Sequence, residues 1–318
     1  MSEPTGPIAP ATPPKTFAQR VFDSDIWFSY SRSPVTVVAS VVAVVLILMA
    51  VLAPVLAPHT PFNPATIVLM DGFTPPGGES FSGNTYLLGT DDQGRDLLST
   101  IMYGSRVSLF VGFSATLFAM TLGIALGLAA GYRGGLLDAV IMRVADVQLS
   151  FPAILIALLI FGVAQGLIPA NQQERTAVWV LILAIGLSNW AQFARTVRGT
   201  TMVERNKDYV SAARLLGRHP LAIVIRHVLP NVLGPVLVIA TISLALAIIE
   251  EATLSFLGVG VPPTQPSLGT LIRIGQRFLF SGEWWILAFP ALMLILLALS
   301  VNLLGDWLRD ALNPRLRK

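Results

Sequence analysis

Residues 35–56 read VTVVASVVAVVLILMAVLAPVL and contain no charged side chain. As a helix, a run of this length rises far enough to cross the roughly 30 Å of hydrocarbon in a bilayer. A secretory signal would have a shorter apolar core, with a small-residue cleavage site close to the N-terminus. Here a long polar segment precedes the run, and Pro58 directly follows the one candidate cleavage site, Ala57. The run therefore predicts an uncleaved membrane anchor.

Further apolar runs follow along the chain. The composition agrees with several spans, because 12% of the residues are charged, whereas soluble domains carry about 25%. The mean hydropathy is +0.70. We predict an all-α integral membrane protein with six transmembrane helices, the third kinked at Pro152. The five later spans are Val107–Ala130, Ala139–Gln165, Ala177–Phe193, Val232–Phe256 and Trp285–Leu304.

Lysine and arginine set the predicted orientation. With both termini in the cytoplasm, sixteen of the 21 basic residues lie on the cytoplasmic side, as the positive-inside rule requires. The net charge of +3 then reflects topology, and no nucleic-acid partner is needed. The sequence also predicts no catalytic, nucleotide-binding or metal-binding site in this chain. It has no cysteine, no phosphate-binding Gly-x-x-x-x-Gly-Lys-Ser/Thr pattern, no hydrolytic Ser/His/Asp grouping and no histidine cluster for nickel or zinc.

Four regions follow from this pattern. Residues 1–33 form a cytoplasmic N-terminus, disordered at first and then either an interfacial helix on membrane lipid or a frayed tail. Residues 34–104 comprise the first span and a periplasmic loop. Residues 105–306 form a core of five spans with a cytoplasmic segment, 208–230, and residues 307–318 are a cytoplasmic tail.

The cytoplasmic segment predicts two short helices around a bend. Asp208 can cap the first helix, Gly217 can end it in a left-handed conformation, and the second begins near Pro220 and closes at His227 before Pro230. Small residues at 211–213 and the apolar side chains of Leu215 and Leu216 would suit a protein interface. The residues alone leave open whether this surface binds a protein or rests on lipid headgroups.

The spacing within this segment resembles the cytoplasmic signature of ABC importer permeases, Glu-Ala-Ala, three residues, Gly, nine residues, Ile, one residue, Leu-Pro. Ser211 replaces the glutamate and His227 the isoleucine. The resemblance implies a type I ABC importer permease fold and a coupling helix that docks into an ATPase subunit. The coupling residues expected on this basis are Asp208, Ser211, Ala212, Ala213, Leu215, Leu216, Gly217, Arg218, His227, Leu229 and Pro230.

Motifs elsewhere resemble the C-type subunit of the dipeptide, oligopeptide and nickel importer family. One includes Glu251 and Leu254–Gly258, and another runs from Leu304 to Pro314. A third lies in the periplasmic loop, where a histidine common in the group is Tyr86. This loop is a hypothetical contact for a solute-binding protein or a partner permease. Its motif residues are Gly89, Thr90, Asp91, Gly94, Arg95 and Asp96.

Several charged residues near the membrane invite a functional interpretation. Arg143 and Asp146 are three residues apart and can pair across one helical turn beside Asp138. Glu250 and Glu251 either stabilise the outer loop by hydrogen bonds or face the translocation path. The acidic cluster at 91–96 predicts a turn in which Arg95 pairs with an aspartate, since its spacing does not match a calcium-binding loop.

The resemblance also implies the protein's setting. This chain would be a non-catalytic permease in a bacterial inner membrane, paired with a homologous permease as a heterodimer. Two ABC ATPase subunits would bind ATP and Mg, and a periplasmic or lipid-anchored solute-binding protein would deliver peptides. The alternatives are nickel-chelate import by the same architecture, an ion-coupled secondary transporter and a membrane scaffold without transport.

Overall fold

The computed structural model describes residues 30–63, 67–262 and 264–312. Most of the expected cytoplasmic N-terminus and the last six residues lie outside this range. Helices dominate the described residues, which outside them form two isolated β-bridges, Glu79 to Thr85 and Thr90 to Asp96. The helices of eight or more residues are α1 Pro34–Val51, α2 Leu97–Arg133, α3 Gly135–Leu149, α4 Ala153–Leu167, α5 Ala170–Glu204, α6 Asp208–Leu215, α7 Pro220–Phe256, α8 Leu268–Gln276 and α9 Trp285–Leu312.

Five helices are long and apolar enough to cross a membrane, namely α1, α2, α5, α7 and α9, and the pair α3 and α4 gives a sixth crossing if it is counted as one span. The expected kink at Pro152 is a break, because α3 and α4 meet at 99°. Pro152 has extended backbone and stands directly before α4. A proline also disfavours helical geometry in the residue before it, here Phe151, so the helix cannot run through.

The centre of the bundle is the contact between α2 and α5. Small residues of α2 let the two backbones approach closely. A Cβ atom added to Gly127 would lie 2.6 Å from the carbonyl oxygen of Ala194, and one added to Gly131 would lie 2.7 Å from Cβ of Thr201. The glycine and alanine spacing of α2 therefore serves helix packing.

Both ends of the described chain lie at the same end of the bundle. The ring of Tyr30, just before α1, contacts that of Trp307 near the end of α9, with centroids 5.4 Å apart. We call this the hairpin end, since α6 and the start of α7 lie there. At the opposite, capped end, the loop 57–96 covers the helices, and Trp285 Nε1 at the start of α9 donates a 3.2 Å hydrogen bond to the carbonyl oxygen of Thr90.

Two predicted region boundaries fall inside helices. The boundary between residues 104 and 105 cuts α2, which begins at Leu97, and the boundary at 306 cuts α9, which continues to Leu312. Both helices run past their apolar segments because polar turns at a membrane surface can remain helical. Hydropathy finds the hydrocarbon-spanning part of a helix and misses these extensions.

Candidate functional site

The short helix α6 turns one side inward and leaves its C-terminal end exposed. Val210 and Ala213 are buried in a cluster with Ile223 and Val228 of α7 and Val197 of α5. Leu215 and Leu216 are 90% and 80% exposed. Ala213 is therefore part of the core, not of the expected docking face. Ser211 and Ala212 remain exposed beside the two leucines.

Gly217 ends α6 as predicted. Its φ is +69°, and its N–H donates to the carbonyl oxygen of Arg214 at 3.0 Å, while the N–H of Arg218 donates to Ala213 O at 3.2 Å. This pair of bonds is a Schellman motif, which satisfies the last carbonyls of a helix and favours glycine at the left-handed position. The motif turns the chain sharply and leaves Leu215 and Leu216 at the tip.

The second helix begins as expected but does not close at His227. His219 Nδ1 accepts a 3.3 Å hydrogen bond from the N–H of Leu221, and Pro220 occupies the first turn. The helix then passes through a π-turn at Val224–Val228 and continues as the fifth span. Because Pro230 has no N–H to donate, a wider turn just before it lets the helix proceed. His227, Leu229 and Pro230 therefore belong to the root of α7 rather than to the tip.

A polar network holds α6 against its neighbours. Glu204 ends α5 and pairs with Lys207 Nζ at 2.6 Å. The hydroxyl of Tyr209 donates to the same carboxylate and accepts a 3.2 Å hydrogen bond from Asn231 Nδ2. Burial and the bond to Glu204 raise the pKa of Tyr209 to about 12. Tyr209 thus stays neutral and links α5, α6 and α7 at physiological pH.

Two contacts tie the hairpin to α2. Arg205 Nη1 donates to the carbonyl oxygen of Gly131 at 2.7 Å, which satisfies a terminal carbonyl of α2. The guanidinium of Arg214 lies 5.4 Å from the ring centroid of Tyr132. These contacts connect the tip to the end of α2.

Charged pairs also join α3 to α5. Arg198 binds Asp138 through two hydrogen bonds, of 2.5 Å from Nε and 2.7 Å from Nη2. Asp146 pairs with Arg195 at 2.5 Å. The expected pair between Arg143 and Asp146 is therefore wrong, since the carboxylate is turned toward α5. Asp208 likewise provides no side-chain cap, because it is the first residue of α6 and Lys207 precedes it as the cap.

The structure therefore gathers part of the expected coupling set into one exposed tip. The tip consists of Ser211, Ala212, Leu215, Leu216, Gly217 and Arg218. Sequence reasoning noted Asp138 but missed its partner Arg198. It also missed Glu204, Arg205, Tyr209 and Asn231, which support the tip. The spacing of Glu204 and Lys207 was a usable signal, but the long-range partners were not encoded in any local pattern.

At the capped end, the motif residues of the loop form its internal scaffold. Asp91 Oδ1 accepts from the N–H of Arg95 at 3.0 Å, and Arg95 Nε binds Asp91 Oδ2 at 2.6 Å, as the predicted turn requires. Asp96 Oδ2 accepts from the N–H of Ser99 at 3.0 Å and caps α2. Gly89 has φ of +78°, and a Cβ there would lie 2.5 Å from Thr74 O.

The motif residues Gly89, Thr90, Asp91, Gly94, Arg95 and Asp96 are all buried. They cannot themselves form the contact surface that the sequence suggested. The most exposed apolar side chains of the loop are Leu69, Met70, Phe81 and Leu87.

Asp71 lies at the centre of this loop. Its carboxylate is fully buried and accepts hydrogen bonds from the N–H of Ser82 at 2.8 Å and from the hydroxyl of Tyr86 at 2.9 Å. Burial acts to raise its pKa, but the bonds from Ser82 and Tyr86 outweigh it and leave the pKa below its ordinary value. Burial and the neighbouring Asp91 instead raise the pKa of Asp92.

The two adjacent glutamates of α7 face different neighbours. Glu250 accepts a 2.8 Å hydrogen bond from Asn189 Nδ2 of α5. Glu251 is fully buried and accepts a 2.8 Å bond from Ser255 Oγ. Both carboxylates therefore make hydrogen bonds within the bundle. Their expected roles, at the outer loop or on the translocation path, stay predictions.

Comparison with known families gives two matches. Residues 123–318 match the binding-protein-dependent transport system inner membrane component family. Residues 23–76 match the N-terminal transmembrane domain of oligopeptide transport permease C. Together they cover the first span, the start of the capping loop and most of the core.

Relatives align over most of their length. The dipeptide transport system permease protein of Haemophilus influenzae is 35% identical over 305 residues, which cover 96% of this chain and 99% of the relative. A putative peptide transport system permease protein of Brucella suis is 42% identical over 254 residues, 80% of this chain and 79% of the relative. The di/tripeptide transport system permease protein of Pseudomonas aeruginosa is 37% identical over 258 residues, 81% of each chain.

A chain of the inward-facing MetNI methionine ABC transporter has the same fold. It matches with a TM-score of 0.52 at 20% identity, covering 67% of this chain and 96% of that one. The expected type I ABC importer permease fold is confirmed by this likeness.

Proposed function

The chain belongs to the family of binding-protein-dependent transport system inner membrane components, and from that premise we propose that it forms half of the translocation pathway of an ATP-driven peptide importer. A homologous permease would form the other half. Two ATPase subunits would bind ATP and Mg and dock at the hairpin end, and a solute-binding protein would deliver peptides at the capped end. Relatives named for dipeptide and di/tripeptide transport support the substrate class.

The observation that carries the coupling role is the exposed tip of the hairpin. Two adjacent leucines, Leu215 and Leu216, are almost fully exposed on a hairpin whose base is buried and hydrogen-bonded. Fully burying a leucine contributes about 1.5–3 kcal/mol, so a rigidly held pair of this kind suits a small protein interface. A rigid base also lets the tip transmit a displacement instead of absorbing it.

The route of that displacement follows from the contacts of the hairpin. α6 is joined to α5 by Glu204 and Tyr209, to α2 through Arg205, and to α7 by the continuous chain. Closure of the ATPase subunits would move these three spans together. ATP drives alternating access in this way only if it binds one conformation more tightly than the other.

Co-purification followed by transport tests this proposal. A C-terminal tag on the native chain should recover two ATPase subunits and a second permease from gently solubilised membranes. The recovered complex, in proteoliposomes with its binding protein, should accumulate a labelled dipeptide only when ATP is supplied. A homo-oligomer that transports under an ion gradient without any ATPase would overturn the proposal.

A further inference from the structure

A cavity of about 570 Å³ opens at the capped end, away from the hairpin. Its walls come from the first part of α2, the first part of α5, the capping loop and the link between α7 and α8. The lining residues are Phe62, Tyr103, Arg106, Phe110, Arg175 and Trp179, with Val107, Val178, Thr264 and Gln265 between them. This volume lies within the roughly 300–1,000 Å³ of small-molecule sites.

Two arginines in this cavity have no counter-charge among the described residues. Arg106 and Arg175 make no hydrogen bond or ion pair with any residue in the part of the chain that the structure describes. No acidic side chain is among the described lining residues. The nearest acid on these walls, Glu174, accepts a 2.5 Å hydrogen bond from Thr264 Oγ1.

Both arginine side chains are exposed at the capped end. Arg106 is nine residues into α2, which places it about 14 Å along the helix, and Arg175 is about 8 Å along α5. The apolar segments of the two helices begin just after these residues, at Val107 and Ala177, so both guanidinium groups lie at the surface end of the spans rather than in the hydrocarbon. Structural pairing explains the other arginines of α5, Arg195 and Arg198, but not these two.

The walls between the arginines are aromatic. Phe110 and Trp179 form an edge-to-face pair with centroids 5.9 Å apart, and Phe62 and Tyr103 form another at 5.2 Å. The site thus combines guanidinium groups, whose planar donors match a carboxylate in a bidentate arrangement, with large apolar surfaces. A carboxylate that carries an apolar side chain on the adjacent carbon satisfies both features.

We propose that this cavity binds the C-terminal carboxylate of the incoming peptide, with Arg106 and Arg175 as its ligands and the aromatic walls around the last side chain. The proposal rests on the peptide-import function and specifies one site on the path. The volume accommodates a dipeptide whole or the terminus of a longer peptide. The site lies on the face of the protein where a peptide would arrive.

The test is binding of alanyl-phenylalanine and of its C-terminal amide to the assembled transporter in nanodiscs, without binding protein, by ligand-observed NMR. We expect the free acid to bind about tenfold or more tightly than the amide. Arg106→Gln and Arg175→Gln should each remove most of this preference, and Arg175→Lys should retain part of it. Arg277→Gln is the control, since Arg277 is an exposed arginine at the capped end that does not line the cavity.

Equal affinity for acid and amide, or a preference that survives in the double variant, would overturn the proposal. So would loss of binding-protein-stimulated ATPase activity without peptide in these variants, because the arginines would then bind an acidic segment of the binding protein. A preference abolished by adding phosphatidylglycerol to phosphatidylcholine nanodiscs would assign the cavity to a lipid headgroup. Failure of wild-type ATP-driven uptake would instead refute the proposed function, whereas normal uptake in the double variant, with the acid preference intact, would refute only the cavity.

Discussion

Arg198 and Asp138 bind each other through two parallel hydrogen bonds across the hairpin end, 60 residues apart in sequence. The pair joins α5, which leads into the coupling hairpin, to α3, the first half of the broken span. Both side chains are mostly shielded, at 32% and 16% exposure. A bidentate pair with this shielding fixes orientation as well as distance.

Breaking this pair should loosen α5 against α3. Asp138→Ala and Arg198→Ala should each lower the unfolding midpoint of the detergent-solubilised complex and slow uptake. The double variant should be little worse than either single variant, which gives a coupling energy of about 1 kcal/mol or more. Thermal unfolding of the wild type, the two single variants and the double variant measures this coupling energy.

The pair of Asp146 and Arg195 provides the matched control. It joins the same two helices, but its side chains are 53% and 55% exposed. Exposed ion pairs contribute about 0–1 kcal/mol, so Arg195→Ala should have a small effect. An equal loss of stability from breaking either pair would show that shielding from solvent does not set their contributions.

The left-handed backbone conformation at Gly217 should be needed for coupling, whereas the lack of a side chain there avoids no steric clash. Its φ is +69° and an added Cβ would meet no atom within 4 Å, so Gly217→Val changes only the backbone preference. A left-handed conformation costs a residue with a Cβ about 1–2 kcal/mol. We expect ATP hydrolysis that is less tightly linked to uptake, measured as ATP consumed per peptide transported.

Gly199→Val is the control for this substitution. Gly199 lies inside α5, also with no atom near the added Cβ, and its backbone is helical. The variant should keep the wild-type ratio of ATP to peptide. A normal ratio in the Gly217 variant would count against the hairpin as the coupling element.

Removing the exposed leucines should detach the ATPase subunits without unfolding the permease. Leu215→Ser with Leu216→Ser deletes two apolar side chains that contact little in the isolated chain. The loss in association should reach about 2 kcal/mol, the threshold for an interface hot spot. The amount of ATPase that co-purifies with the tagged permease measures it. Leu136→Ser, an equally exposed leucine at 81% beside the same end, should leave assembly intact.

Acid should open the capping loop through Asp71. The pKa of this group is lowered in the folded loop, so its contribution to stability is complete above the ordinary value near 3.8 and is lost as pH falls through the lower, folded value. The difference in amide protection of residues 72–90 between wild type and Asp71→Asn, measured by hydrogen exchange in nanodiscs, should therefore be constant from pH 7 to about 4 and shrink at lower pH. Asp71→Asn should reduce protection at pH 7 by about 1.5–3 kcal/mol.

Asp92→Asn should not lower the amide protection of the capping loop as Asp71→Asn does. The pKa of Asp92 is raised in the folded loop, so its ionised form destabilises the loop as pH rises above about 3.8. The amide side chain removes that charge and should leave protection at pH 7 unchanged or higher. Reduced protection in both variants would mean that the two carboxylates simply maintain packing.

Features that rest on local chemistry were predicted from the sequence. The apolar runs identified the spans, since each must be long enough to cross the hydrocarbon. Gly217 as a left-handed stop and the Asp91–Arg95 turn were also confirmed, because both depend on residues within five positions of each other.

Tertiary structure decided which side chains meet and which stay free. Asp146 could pair with Arg143 on its own helix, but α5 brings Arg195 to it. Ala213 belongs to the same run of small residues as Ser211, yet it is buried in a cluster with Ile223 and Val228. A sequence determines the period of a helix and where its backbone can turn. Its rotation and its distant neighbours follow only from packing all helices together, which here buries the base of the hairpin and leaves Leu215 and Leu216 exposed.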